Sequence, residues 1–444
     1  MRILLIEVID EDRGDDVEVL YPPLGLGYLA GYIRKKRPDW DVRIVRGDSF
    51  KYSGMKHPTG FKGCDLEGCK EEGCCFNPDV VGLSFVSQNA ERAVNAVRKI
   101  RSEWKDVPIV AGGHHVTAFP WWLSERTGEQ VYSVMGEGER AFYSFCLAVK
   151  EKKSFRNIPG VGYSIIDSDV VDYKMNGVLS SDEPLDNLPM PTWDKFVFER
   201  GEAHIFTSRG CPFDCVFCSS SCFWGKTRYH SPMRVYNEIR ELHLEHGVGA
   251  INIYDDLFAV NSKRVGAIRN LVMKDPRLRD AGIRFSCLGR ASALTDRILE
   301  ELKGLGVAAM AFGFESGSDR VLKYLKGPSA SVESNVRAAK MVKAAGIGLV
   351  GSVIYGVPGE TMEEALQTVL MVKEMDMGIG EAYLATPYPG TQLWNDAELH
   401  ELVSDDMDFS RLRFDWGDDA VVVGNLSMSQ LKEIRERYQE IFGR

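Results

Sequence analysis

The sequence predicts an α/β protein built as two successive units, a doubly wound parallel sheet followed by a partial (β/α)6 barrel. Three observations carry that expectation. Short apolar strands alternate with amphipathic helices over residues 1–150; the alternation fades into the Pro-punctuated stretch Leu185–Pro191; and a second alternating series begins near His204.

In the first series the strands are Ile3–Glu7, Asp41–Val45, Val80–Phe85, Ile109–Gly112 and Gln130–Met135, and the helices are Gly25–Lys36, Ala90–Arg101 and one after Glu139. Helices of this length between strands imply parallel crossovers, which place a ligand crevice beyond the carboxyl ends of the strands. Those ends carry Pro23-Leu24-Gly25, Ser84 through Ser87, Gly112-Gly113-His114-His115 and Gly136-Glu137-Gly138. Glycine there permits close backbone approach to a ligand. In the second series the strands are His204–Ser208, Ala250–Tyr254, Arg284–Leu288, Ala308–Phe314, Leu349–Tyr355 and Glu381–Ala385. Helix starts are marked by Ser231-Pro232, by Thr295 before Asp296, and by a capping box of Thr361 with Glu364. The boundaries expected are 1–150, with a Cys-rich insertion at about 52–78, a connector over 151–200, the barrel over 201–400 and an extension over 401–444 that ends in an amphipathic helix, Met428–Phe442.

Composition excludes several classes. With 54 Lys and Arg against 64 Asp and Glu, the net charge of −10 has the wrong sign for tracking a phosphate backbone, so no nucleic-acid partner is expected. No apolar run reaches the ~18 residues of a membrane span, and the expected location is the cytoplasm. Ten cysteines in such a setting point to metal or redox chemistry rather than disulfides. Cys146 and Cys287 stand alone among apolar residues and read as core. The other eight fall in two groups, at 64, 69, 74 and 75, and at 211, 215, 218 and 222.

The second group follows the first barrel strand as Ser208-Arg209-Gly210-Cys211-Pro212-Phe213-Asp214-Cys215-Val216-Phe217-Cys218. Three thiolates spaced C-x3-C-x2-C can hold three irons of a [4Fe–4S] cubane and leave the fourth iron open. The motif resembles that of the radical S-adenosylmethionine (SAM) superfamily. The resemblance implies that the open iron binds the amino and carboxylate groups of SAM, that an electron from the cluster cleaves SAM to methionine and a 5′-deoxyadenosyl radical, and that an external donor such as flavodoxin or ferredoxin supplies the electron. It makes Cys222 a bystander and Phe217 the aromatic neighbour of cluster and adenine. Later strand ends match in order: Tyr254 and Asp255 toward the SAM amino group, Arg290 toward a carboxylate, Glu315 and Ser316 toward the ribose, and Ile354 and Thr386 toward adenine.

A doubly wound, Rossmann-like unit before such a barrel resembles the cobalamin-binding class of this superfamily. By that resemblance Pro23, Leu24, Gly25, Ser84, Ser87, Gly112, Gly113, His114, Gly136, Glu137 and Gly138 contact cobalamin. One departure is that the D-x-H-x-x-G segment supplying a histidine to cobalt in many cobalamin proteins is absent. His57 and the Ser84–Gln88 loop are the nearest candidates to face cobalt's lower side, and an uncoordinated form is the alternative. Cys64, Cys69, Cys74 and Cys75 form either a second metal site or a thiol-bearing loop, since their spacings fit neither a zinc ribbon nor a ferredoxin run. The function implied is a cobalamin-dependent C-methyltransferase working anaerobically on an unactivated carbon of a peptide or protein side chain, a lipid or a tetrapyrrole. The alternatives are radical cyclisation or carbon–carbon coupling without methyl transfer, and a cofactor-based sensor.

Overall fold

The computed structural model describes residues 1–9, 23–46, 76–167, 170–177, 183–195, 198, 201–414 and 416–442. It contains two compact units, one of residues 1–200 with 405–410, the other of residues 201–404 with 411–444.

In the first unit the strands are β1 (Arg2–Glu7), β2 (Asp41–Arg46), β3 (Val80–Ser84), β4 (Ile109–Gly112), β5 (Val131–Val134), β6 (Val161–Asp167) and β7 (Val170–Met175). Their order in the sheet is β2-β1-β3-β4-β5-β6-β7, with β1 to β5 parallel and β6 and β7 antiparallel. Ile3, Leu4, Leu5 and Ile6 are all buried, as a central parallel strand covered on both faces requires. The helices Leu24–Lys36, Ala90–Glu103 and Glu139–Glu151 lie where the periodicity puts them. Strand order reverses between β1 and β3, so the crevice for a ligand opens beyond the ends of those two strands. Val8 N–H donates to Ser84 O there, and Asn89 Nδ2 donates to Val8 O.

Two assignments differ from the sequence reading. The 151–200 stretch is not a bare connector: β6 and β7 extend the sheet, and Thr192 N–H donates to Gly27 O on the first helix. Residues 405–410 of the extension belong to the first unit, where Trp122 Nε1 donates to Asp405 O and Phe409 is fully buried. His57 and the cysteines at 64, 69, 74 and 75 lie outside the described residues.

The second unit is a six-stranded parallel sheet in chain order, Glu202–Ile205, Ala250–Ile253, Arg284–Gly289, Val307–Glu315, Gly348–Tyr355 and Ile379–Leu384. The first and sixth strands are its two edges, which makes the barrel partial. The helix starts form as expected: Ser231 and Thr295 accept from the N–H of Arg234 and Ile298, and Thr361 with Glu364 closes a capping box. The last helix, Met428–Ile441, buries Leu431, Ile434 and Tyr438. It packs against the sixth strand, where Gly380 leaves room for the Tyr438 hydroxyl and the Phe442 ring. No helix among the described residues is long and apolar enough to cross a membrane.

Candidate functional site

The three-cysteine loop leaves the first barrel strand through Ser208–Arg209, which pairs antiparallel with Arg228–Tyr229. Gly210 turns the chain at φ +85°, where a Cβ would stand 3.0 Å from Lys226 O, so no other residue fits easily. Cys218 N–H donates to Cys215 O, and Val216 is clipped on both sides, its N–H to Leu325 O and its carbonyl from Leu393 N–H. These bonds fix the loop backbone independently of any metal. Among the described residues no three or more His, Cys, Asp or Glu side chains close around a single ion, and a cubane does not require it, because each cysteine meets a different iron. Burial pushes the Cys211 thiol up and the Cys218 thiol to about 12, so cationic iron is what would hold them as thiolates. Cys222 turns away and donates to Gly390 O, 2.6 Å distant.

Arg290, at the end of the third strand, is buried over the loop. Its Nη1 lies 3.3 Å from Cys215 Sγ, its guanidinium 4.0 Å above the Phe213 ring, and Nη2 donates to Lys326 O at 2.7 Å. A fixed cation at the cluster loop suits thiolates and a carboxylate alike. Glu315 ends the fourth strand at φ +62°, after a break in register with the fifth, and pairs with Lys326 Nζ at 3.3 Å, both side chains buried. The left-handed backbone re-aims the carboxylate where a regular strand would continue. Tyr254 lies at the end of the second strand with its ring 4.5 Å from that of His204, Phe217 is half-buried beside Cys218, and Ile354 is buried near the end of the fifth.

Three of the expected SAM contacts have side chains committed elsewhere. Asp255 is fully buried and accepts from Thr207 N–H at 2.5 Å, Ser208 N–H at 2.9 Å and the Thr207 hydroxyl, while Arg264 donates to Thr207 O. It anchors the root of the cysteine loop, because its alternate position on the strand end turns it into the core. Burial raises its pKa against the pull of Arg264 and these donors. Ser316 Oγ accepts from Ser318 N–H, and Thr386 Oγ1 donates to Leu384 O and Arg413 O. Asp256 is the acid at the loop. It accepts from Ser220 Oγ at 2.7 Å, and its charge raises the pKa of Cys211 and Cys218. The sequence carries the signal for it in the paired Asp255-Asp256, without the orientation that separates the two.

In the first unit the glycine turns close the strand ends. Gly113, at φ +104°, would bring a Cβ to 2.5 Å from Phe85 O, whereas a Cβ on Gly112 would meet only Val134 O at 3.5 Å. Thr117, which sequence reasoning missed, ties two turns together: its Oγ1 donates to Gly113 O and accepts from Gly136 N–H, Gly136 being at φ +63°. Gly138 and Glu137 precede the helix Glu139–Glu151, and Pro23 and Leu24 are buried at the start of the first helix. Gly25 is different, since a Cβ there meets open space. Burial holds His114 below the usual histidine range. Ser84 is half-buried, and Ser87 is buried with its Oγ 3.1 Å from His115 Nδ1. Small residues, glycine-backed strand ends and a switch-point crevice fit a large planar ligand approached by backbone.

Comparison with known proteins agrees with both halves. Residues 205–372 match the radical SAM superfamily and residues 12–145 the B12 binding domain. The chain is 32% identical to the uncharacterized methyltransferase PH0819 of Pyrococcus horikoshii, over 86% of this chain and 80% of that one. It is 25% identical to the anaerobic magnesium-protoporphyrin IX monomethyl ester cyclase of Rubrivivax gelatinosus, over 89% and 70%. Its fold is similar to that of the radical SAM methyltransferase TsrM from Kitasatospora setae, solved with cobalamin and a [4Fe–4S] cluster, at a TM-score of 0.68 and 18% identity over 90% of this chain and 75% of that one. With the cysteine loop, the ordered strand ends and the glycine turns in place, the chain belongs to the radical SAM superfamily and is one of its members that carry a B12 binding domain.

Proposed function

We propose that the protein is a cobalamin-dependent radical SAM methyltransferase that places a methyl group on an unactivated carbon. The observation that carries this reading is the pairing, on one chain, of a three-thiol loop under a fixed arginine with a glycine-lined B12 binding fold. The relative from Pyrococcus horikoshii, described as an uncharacterized methyltransferase, is similar to this chain over most of its own length. The bound cofactors supply the electron that cleaves SAM and the carrier for its methyl group. The chain supplies position: Cys211, Cys215 and Cys218 hold the cluster, Arg290 and Asp256 face the charged end of SAM, and Glu315, kept in place by Lys326, faces its ribose. Phe217, Tyr254, Ile354 and the backbone at Ser316 and Thr386 enclose the rest. Pro23, Leu24, Ser84, His114, Glu137 and the turns at 112–113 and 136–138 form the cobalamin cradle.

An external one-electron donor of the flavodoxin or ferredoxin kind serves the cluster, and the setting proposed is the cytoplasm. The substrate class is a peptide or protein side chain, a lipid or a tetrapyrrole. The similarity to a tetrapyrrole cyclase supports a second reading, radical ring closure without methyl transfer. Anaerobic incubation of the reduced enzyme with methyl-deuterated SAM and members of each class separates them. A product heavier by one trideuteromethyl group supports methyl transfer; a ring-closed product without added methyl mass supports the second reading.

A further inference from the structure

The first unit contains a buried histidine in contact with a serine beyond the end of β3 and enclosed by aromatic rings. His115 is 1% exposed, and its Nδ1 lies 3.1 Å from Ser87 Oγ. Its Nε2 has no hydrogen-bond partner among the described residues. The ring is boxed by Trp122 and Phe409, each edge-on at 80° with centroids 4.9 and 4.7 Å away, and by Phe119 and Phe85 at 5.7 and 5.4 Å. An imidazole nitrogen facing aromatic rings is favoured as N–H, whose hydrogen meets the negative π face, and disfavoured as a lone pair. In the tautomer with the proton on Nε2, Nδ1 is the acceptor and Ser87 donates its only hydrogen inward. Burial lowers the His115 pKa to about 3, which keeps the ring neutral.

Ser87 lies three residues beyond the carboxyl end of β3, a wall of the switch-point crevice. We propose that His115, with its proton on Nε2, is a positioning residue for the corrinoid: by accepting the Ser87 O–H hydrogen bond at Nδ1 it leaves the lone pairs of Ser87 Oγ as acceptors for an amide N–H of the corrin rim, and Phe409 of the C-terminal extension completes the aromatic box around that tautomer. The inference rests on the cobalamin reading above. It gives residues 405–410 a task in the first unit, since Trp122 and Arg126 hold the carbonyls of Asp405 and Asp406 while Phe409 meets His115.

The test titrates hydroxocobalamin into the full-length anaerobic protein and follows the corrin absorbance, with thermal unfolding and cluster absorbance as checks on folding. Ser87→Ala and His115→Phe should each weaken binding about tenfold, the worth of one buried hydrogen bond. The double variant should be no weaker than either, because both break the same link. His115→Asn restores an acceptor near the Nδ1 position and should bind more tightly than His115→Phe. Phe409→Leu should weaken binding severalfold, and that loss should vanish in the Ser87→Ala background. Additive losses in the double variant, or a His115→Phe protein that binds like the wild type, would overturn the proposal alone. A wild-type protein that takes no hydroxocobalamin would overturn the cobalamin reading and the proposal with it.

Discussion

The two units prepare their sites by different means. At the barrel's strand ends the work falls to buried charge: Asp255 under the loop root, Arg290 over Cys215, and Glu315 paired with Lys326. In the first unit it falls to shape, through glycines at 112, 113, 136 and 138, a bridging threonine and a neutral histidine among aromatic rings. A small, charged, chelating cosubstrate calls for fixed charges whose cost of burial is met by pairing. A broad macrocycle calls for backbone that can be approached closely. The difference predicts that charge substitutions disable one unit and Cβ additions the other.

The largest effect is expected at the cysteines. Replacing Cys211, Cys215 or Cys218 by Ala should abolish iron–sulfur absorbance and all SAM cleavage, and Cys222→Ala should leave both in place. A Cys222→Ala protein as empty as the other three would show that all four cysteines hold the cluster. Next comes Asp255→Asn, which removes a buried negative charge near Arg264 and turns an amide N–H toward the donors of Thr207 and Ser208; a loss of about 3 kcal/mol is expected, read by denaturation together with iron content. Wild-type stability and iron content in that variant would contradict the anchoring role of Asp255.

Glycine substitutions test the other side of the comparison. Gly113→Ala should destabilise the first unit by about 2 kcal/mol, through its positive φ and the contact with Phe85 O. Gly112→Leu should keep the fold yet lose cobalamin by about tenfold or more, and Gly25→Ala should change neither. Equal cobalamin retention in all three would remove the cradle from the account.

The smallest effect is a pH dependence in the barrel. Glu360 is buried, accepts from Gly356 and Val357 N–H through one oxygen, and has its pKa raised to about 7 by burial. The folded state therefore holds a proton that the unfolded chain releases near pH 4.5, so stability should fall as pH rises from about 4.5 through about 7, by at most about 1.4 kcal/mol per pH unit. Glu360→Gln should flatten that slope in urea midpoints measured across the window; an unchanged slope would assign the proton elsewhere.

Much of this was legible in the sequence because it is local. Strand and helix order, the caps at Ser231, Thr295 and Thr361 and the three-cysteine motif all follow from near neighbours in the chain. What was not legible depends on distant partners or on side-chain direction. Adjacent Asp255 and Asp256 read alike until the strand end sends one into the core. Nothing in the spacing pairs Lys326 with Glu315, and nothing links Phe409 to His115 nearly three hundred positions earlier. The antiparallel strands β6 and β7 are hard to tell from a connector in the sequence, because their apolar alternation is weak and borders prolines.

The central claim is that both cofactor sites serve one reaction, and the two fates of SAM test it most directly. Methylation of an unactivated carbon consumes one SAM as methyl donor, releasing S-adenosylhomocysteine, and a second as radical source, releasing 5′-deoxyadenosine and methionine. With the substrate present and the enzyme reduced, quantifying both nucleosides against product should give about equal amounts, one of each per methyl group added. Turnover that releases 5′-deoxyadenosine with altered substrate and no S-adenosylhomocysteine would contradict methyl transfer while leaving the radical SAM barrel as described.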